Sequence, residues 1–173
     1  MGWNHSKFEG DNLPVEQVSW KDCQTFIEKL NSMLSNELDG MCFALPTEAQ
    51  WEFAARGGNK SKGFMYAGSN SIDDVAWYCS NSGEQTHPVA QKLPNELGLY
   101  DMSGNVWEWC QDWYGDYSSN AQTNPQGPAS GVDLVCRGGD WDGYSLSCRV
   151  SDRFYLTPGR CLKVLGFRLC LLP

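Results

Sequence analysis

Eight Trp, seven Tyr and seven Phe stand among eighteen Gly in a chain of 173 residues. That mixture constrains the fold more than any single motif. Large flat side chains separated by turn formers build loop-rich frames pinned by aromatic contacts. Helical runs rich in Ala, Leu, Glu and Lys are few, so a helix bundle is excluded. The length fits one domain over 1–173 and leaves no room for two well-cored ones. Lys plus Arg number 13 against 21 Asp plus Glu, a net charge of −8. Neutralising nucleic-acid phosphates needs a basic surface, so a duplex-binding role is excluded. No apolar run approaches bilayer length, so this segment is not expected to insert directly into a membrane. No basic-then-apolar leader opens the chain, although a leader removed earlier leaves a secreted origin open.

The eight cysteines are even in number but too sparse for a disulfide-scaffold miniprotein. None are spaced as C-x-x-C, which argues against structural zinc and against a thioredoxin-like motif. Buried thiols and one or two disulfides both remain open.

Two helices announce themselves by their caps. Ser19 precedes Trp20-Lys21-Asp22, an N-cap with an acid at the third helical position. Cys23, Phe26, Ile27, Leu30 and Leu34 then recur at helical spacing on one apolar face. Thr47 caps a second, shorter helix whose buried side is expected to be Trp51, Phe53, Ala54 and Ala55, stopped by Gly57-Gly58. Residues 57–86 and 115–131 read as long polar loops, which in a compact domain usually carry function. Asp73-Asp74 and Asp112 with Asp116 read as solvated loop charges. Leu165–Pro173 reads as one buried terminal strand, with Pro173 where no ladder donor is needed.

Six motifs follow in order: Leu13–Trp20 (LPVEQVSW), Leu45–Glu52 (LPTEAQWE), Asn95–Met102 (NELGLYDM), Gly104–Trp109 (GNVWEW), Arg137-Gly138-Gly139 and Gly166-Phe167-Arg168. Together they resemble the formylglycine-generating-enzyme, or sulfatase-modifying-factor, family over nearly the whole chain. The resemblance implies an α+β, C-type-lectin-like fold with two short helices, a small antiparallel sheet and long loops. It also implies a further N-terminal strand region upstream of the segment matching Met1–Phe8.

The catalytic members use two cysteines, separated by four residues, just after the last Gly-Gly. Such thiolates suit a soft copper(I) ion. Counted from Gly139, the first of those positions falls on Gly143. If Arg149–Arg153 is matched instead, the loop is about three residues shorter. Either way a lone Cys148 remains, so copper-dependent oxidation to formylglycine is not expected. The related iron-dependent sulfoxide synthases need three histidines, whereas this chain has His5 and His87, the latter read as a turn residue before Pro88. The resemblance further implies calcium at the Gly-Asn-x-Trp-Glu motif, through the carbonyls of Ser103, Gly104 and Val106 and the carboxylate of Glu108. The plainer alternative has Asn105 closing a turn, Glu108 pairing with an arginine, and Trp107 and Trp109 split between core and surface.

The tail is similar to the C-terminal region of retroelement-diversified variable proteins of the treponemal kind, in which adenine-directed mutagenesis scatters substitutions over a persistent scaffold. Trp141, Arg149, Arg153, Gly166, Phe167 and Arg168 look fixed, and the arginine forks are expected to tie carbonyls and carboxylates together. Interleaved with them lie Asp142, Gly143, Tyr144, Ser147, Asp152, Phe154, Tyr155, Leu156 and Leu162, a poor set for packing and a reasonable one for a binding surface. Stability is expected from Trp20, Trp51, Trp107, Trp141 and Phe167, and affinity from Tyr144, Phe154 and Tyr155. The expected function is non-catalytic recognition of a macromolecular ligand, protein or glycan, through a variable region over 136–173. Display on a bacterial cell surface is expected, by export or by a lipid anchor outside this chain. A fixed sensor or interaction domain of the same fold is the alternative.

Overall fold

Helix α1, Trp20–Met33, begins where the sequence places its cap. Ser19 accepts from the Asp22 amide, Asp22 accepts from the Ser19 amide, and Cys23 and Ile27 are buried. This is the reciprocal capping box, which satisfies two otherwise orphaned donors. After strand β1, Cys42–Ala44, helix α2 runs Glu48–Ala55 and starts with the same device, Thr47 with Gln50. The computed structural model describes residues 5–173. The expected strand region upstream of Met1–Phe8 lies outside the described residues.

The remaining elements are the one-turn helix α3 (Ile72–Val75), β2 (Trp107–Trp113), β3 (Leu134–Arg137), β4 (Phe154–Leu156), β5 (Leu165–Phe167) and β6 (Cys170–Leu172). Four of them form a sheet in the order β4-β3-β2-β5, while β1 and β6 pair separately. The larger sheet is mixed rather than wholly antiparallel, because β5 runs parallel to β2. The terminal segment is correspondingly two strands, not one. Leu165 and Gly166 are buried, but Cys170–Leu172 turns away to an antiparallel pairing with β1 and is half-exposed.

Strand alternation sorts the core. Trp107 and Trp109 on β2, with Leu134 and Cys136 on β3, pack with Cys23 and Ile27 of α1. Cys110 and Val135 point the other way and pack with Trp51 and Ala55 of α2. Trp107 and Trp109 of the Gly104–Trp109 motif are therefore both core residues, with Trp109 at 0% exposure. Of the expected aromatic frame, Trp51, Trp107 and Trp141 are buried, and Trp20 and Phe167 are partly buried against the first cluster. Phe53 is not on the buried side of α2; it is exposed.

Two glycines show why these motifs need them. A Cβ on Gly166 would sit 2.3 Å from the Val15 carbonyl, because the entering N-terminal segment crosses β5 there. Gly104 has φ +76° and its Cβ would meet the Trp77 carbonyl at 2.3 Å. No helix among the described residues is long and apolar enough to cross a membrane.

Candidate functional site

The α2 side of the sheet carries charge as well as core. Arg137 on β3 is completely buried, and its guanidinium lies over the Trp51 ring, 5.2 Å from the centroid. It donates to the Glu52 carboxylate and the Asp152 carbonyl, and to the Val150 carbonyl at 3.1 Å. Its Nε lies 3.4 Å from Glu48. A buried cation is tolerable only with this degree of pairing. Arg153 grips the same Glu48 through two bonds of 2.6 and 2.8 Å and donates to the Gly115 carbonyl at 3.1 Å. Arg168 grips Glu108 at 3.0 and 2.8 Å and also reaches the Tyr100 carbonyl.

Two of the three arginines expected to act as ties therefore do so. Arg149 does little of this: it is partly exposed, donates to the Leu146 carbonyl 3.1 Å away, and sits 3.9 Å from Asp152. The buried hub, Arg137, was missed as such, although its motif was noticed. An arginine alternating with Val135 at the end of an apolar strand was the available signal.

Along the tail, the network fixes the backbone at Val150, Asp152 and Arg153 and leaves the intervening turns outward. Tyr144 is 77% exposed, Phe154 39% and Tyr155 47%. Asp142 is also exposed. Tyr155 lies on Tyr114 at 4.3 Å and Phe154 stacks on Trp107 at 5.2 Å, so both exposed rings rest on the frame. Gly143, Ser147 and Asp152 are half-buried. A Cβ at Gly143 would come 2.8 Å from an Asp140 carboxylate oxygen, so that position tolerates bulk poorly. Leu156 and Leu162 pack against the first core cluster, which corrects their assignment to a free surface. Each sits where a strand or turn returns its side chain inward.

Gly143, on which the count from Gly139 lands, is half-buried backbone whose carbonyl accepts from the Cys79 amide at 3.0 Å. Cys148 is fully buried, and burial pushes its thiol up to about 12. At neutral pH it is neither a thiolate nor accessible. All eight cysteines are free thiols, four of them buried: Cys23, Cys110, Cys136 and Cys148. His87 is not itself in a turn but in irregular chain between the turns at 83–84 and 89–90, where Asn105, at φ +67°, brackets it through the His87 amide and carbonyl and Trp77 stacks on its ring at 3.7 Å.

The calcium set fails at its carboxylate. Glu108 is buried, and its oxygens accept from Arg168 at both ends and from the Trp51 indole at 2.7 Å. The one carboxylate that would join the carbonyls of Ser103, Gly104 and Val106 is already neutralised by a guanidinium. These residues as placed do not fit a divalent cation, which would sit beside that positive charge. Asp112 also departs from expectation. It is 5% exposed on β2, accepting from the Glu48 amide at 2.7 Å, rather than being a solvated loop charge. Burial raises its pKa, opposed by the hydrogen bond from the Glu48 amide.

A small mixed sheet between two capped helices, long loops and a buried arginine–glutamate lattice define an α+β, C-type-lectin-like domain. The model of the sulfatase-modifying factor enzyme 1-like domain matches residues 2–171, and the chain belongs to that family. It is similar to the chaperone protein LppX of Paenibacillus barcinonensis, 36% identical across 82% of this chain and 63% of that one. It is 34% identical to the formylglycine-generating enzyme of Streptomyces coelicolor, over 91% of this chain and 52% of that enzyme. The chain thus spans between half and two-thirds of these curated relatives. Among solved structures, variable protein 1 of Treponema denticola superposes with a TM-score of 0.90 at 34% identity, over 99% of this chain and 78% of that one.

Proposed function

We propose that this chain is a non-catalytic ligand-binding domain, exposed on a bacterial cell surface, whose residues 136–173 present interchangeable side chains diversified by a retroelement. The observation that carries the reading is the exposure of Tyr144, Phe154 and Tyr155 on a backbone locked by Arg137, Arg153 and Arg168. Tyrosine and phenylalanine offer large contact areas at small rotamer cost, which suits a macromolecular ligand, protein or glycan. The likeness to the treponemal variable protein supports the same reading. Glycine at 143 and a buried, protonated Cys148 supply no pair of thiolates, which supports the absence of copper oxidase chemistry.

The coding DNA tests the diversification. A near-copy of the codons for 136–173, differing at adenines and lying beside a reverse transcriptase gene, is the expected finding. Its absence would leave a fixed interaction domain of the same fold. A selection for binders from a library varied at 142, 144, 154 and 155 tests the surface itself. Folded variants that acquire new ligands are expected; a library that fails to fold would refute the display role.

A further inference from the structure

A concavity lies between α2, the end of β2 and the loop that follows it, with Arg153 of the tail at its border. Its cavity volume is about 720 Å³. Trp113, Phe53, Tyr117 and Pro128 supply its apolar walls, and Asp112 and Asp116 its carboxylates. Phe53 is 57% exposed and Tyr117 65%, although α2 has a core side to which Phe53 could have been turned. The charges around the groove are unequally satisfied. Arg153 neutralises Glu48, and Glu52 is held by Arg56 and Arg137. Among the described residues no ion pair reaches Asp112 or Asp116. Asp112 keeps only an amide donor from Glu48, at 2.7 Å. Apolar walls with unneutralised carboxylates call for an apolar stem ending in a cation.

We infer that this groove is a recognition site for a lysine or arginine side chain of a protein ligand, its methylenes along Trp113 and Phe53 and its charge beside Asp112 and Asp116. A long basic side chain meets both demands at once, since its stem is apolar and its head is charged. Neutral apolar residues would leave the carboxylates without a partner, and acidic ones would be repelled. Arg153 borders the groove and lies over Tyr114, the ring on which the exposed Tyr155 also rests, so one ligand could engage groove and tail together. The groove nevertheless requires no diversity in the tail, and the inference stands or fails apart from the display reading.

The test is an amide-resolved NMR titration of the intact chain with N-acetyl-Gly-Arg-Gly-amide and its lysine counterpart. The glutamate and leucine counterparts serve as controls. Saturable shifts are expected at the Trp113 indole and at the amide of Gly127, which lines the groove, with the basic peptides alone. Asp116→Asn and Phe53→Ala change exposed side chains, so both variants should retain the wild-type spectrum elsewhere. Each should weaken binding about three- to tenfold. Three results would overturn the inference: no shift with either basic peptide up to its solubility, equal shifts with the glutamate or leucine peptide, or unchanged affinity in Asp116→Asn.

Discussion

The α2 face of the sheet and the turns of the tail are built from similar residues and obey opposite rules. On the α2 face, Arg137, Glu48 and Glu108 are withdrawn from water, Glu52 is partly so, and each charge answers another. In the tail, Asp142 and Lys163 form a pair 3.4 Å apart with both side chains about half exposed. Water screens such a pair, and either partner can be lost cheaply. The comparison teaches that this fold places its intolerance to substitution in a polar lattice as much as in an apolar core. That separation is what allows neighbouring positions, such as Arg153 and Phe154, to play unlike parts.

Removing Arg137 should break the comparison at its most sensitive point. In Arg137→Ala, Glu48 and Glu52 lose their buried partner and the Val150 and Asp152 carbonyls lose a donor. Stripping one member from a buried ion pair costs about 3–5 kcal/mol. Denaturant unfolding should show a loss of that size, a large share of the stability of any single domain. A loss below about 1 kcal/mol would mean that the lattice is ornamental.

Within the tail the contrast can be sharpened by pairing residues that the sequence reading placed together. Leu162→Ala should cost about 1–3 kcal/mol, below the range for fully buried leucines because Leu162 is only partly enclosed by the first cluster. Tyr144→Ala should stay within about 0.5 kcal/mol, as expected of an exposed side chain. Equal losses would erase the distinction between lining and frame.

That distinction also marks what was legible in advance. Both helix starts were, because a capping box is a local code written in four consecutive residues, Ser19–Asp22 and Thr47–Gln50. The exposed aromatics were legible as a compositional oddity. Phe53 was misplaced because a two-turn helix offers too few residues to separate its faces by periodicity. Asp112 and Arg137 were misjudged for a different reason. Their partners lie 64 and 85 residues away, at Glu48 and Glu52, and pairing across the chain leaves no short-range trace. The last strand divided at Arg168, whose side chain is drawn to Glu108 as the backbone turns from β5 to β6.

A smaller effect belongs to the half-buried Asp101. Burial is the main cause raising Asp101, although the Ala90 amide and Arg168 oppose it. An acid whose pKa is higher in the folded chain holds its proton longer there. Its contribution to stability is therefore fullest below the ordinary aspartate value and is lost as pH rises through the raised one. Asp101→Asn removes that titration and suits the φ of +56° at this position. Its unfolding free energy should fall less steeply than wild type above pH 4, as followed by urea titrations at several pH values. Parallel pH profiles would show that Asp101 titrates alike in both states.

The smallest expected effect is the response to calcium, which probes whether Glu108 belongs to the frame or to a site. An ion that bound the folded chain alone would stabilise it in proportion to the logarithm of its concentration. Both oxygens of Glu108 are held by Arg168, and the Trp51 indole adds a third donor. Calcium would have to displace or share that guanidinium, losing a charge-assisted pair to gain another. Adding millimolar calcium or excess chelator should therefore leave the melting temperature unchanged. A rise in the wild-type chain would show instead that the ion and the arginine share Glu108, and the carboxylate would then belong to a metal site as well as to the frame.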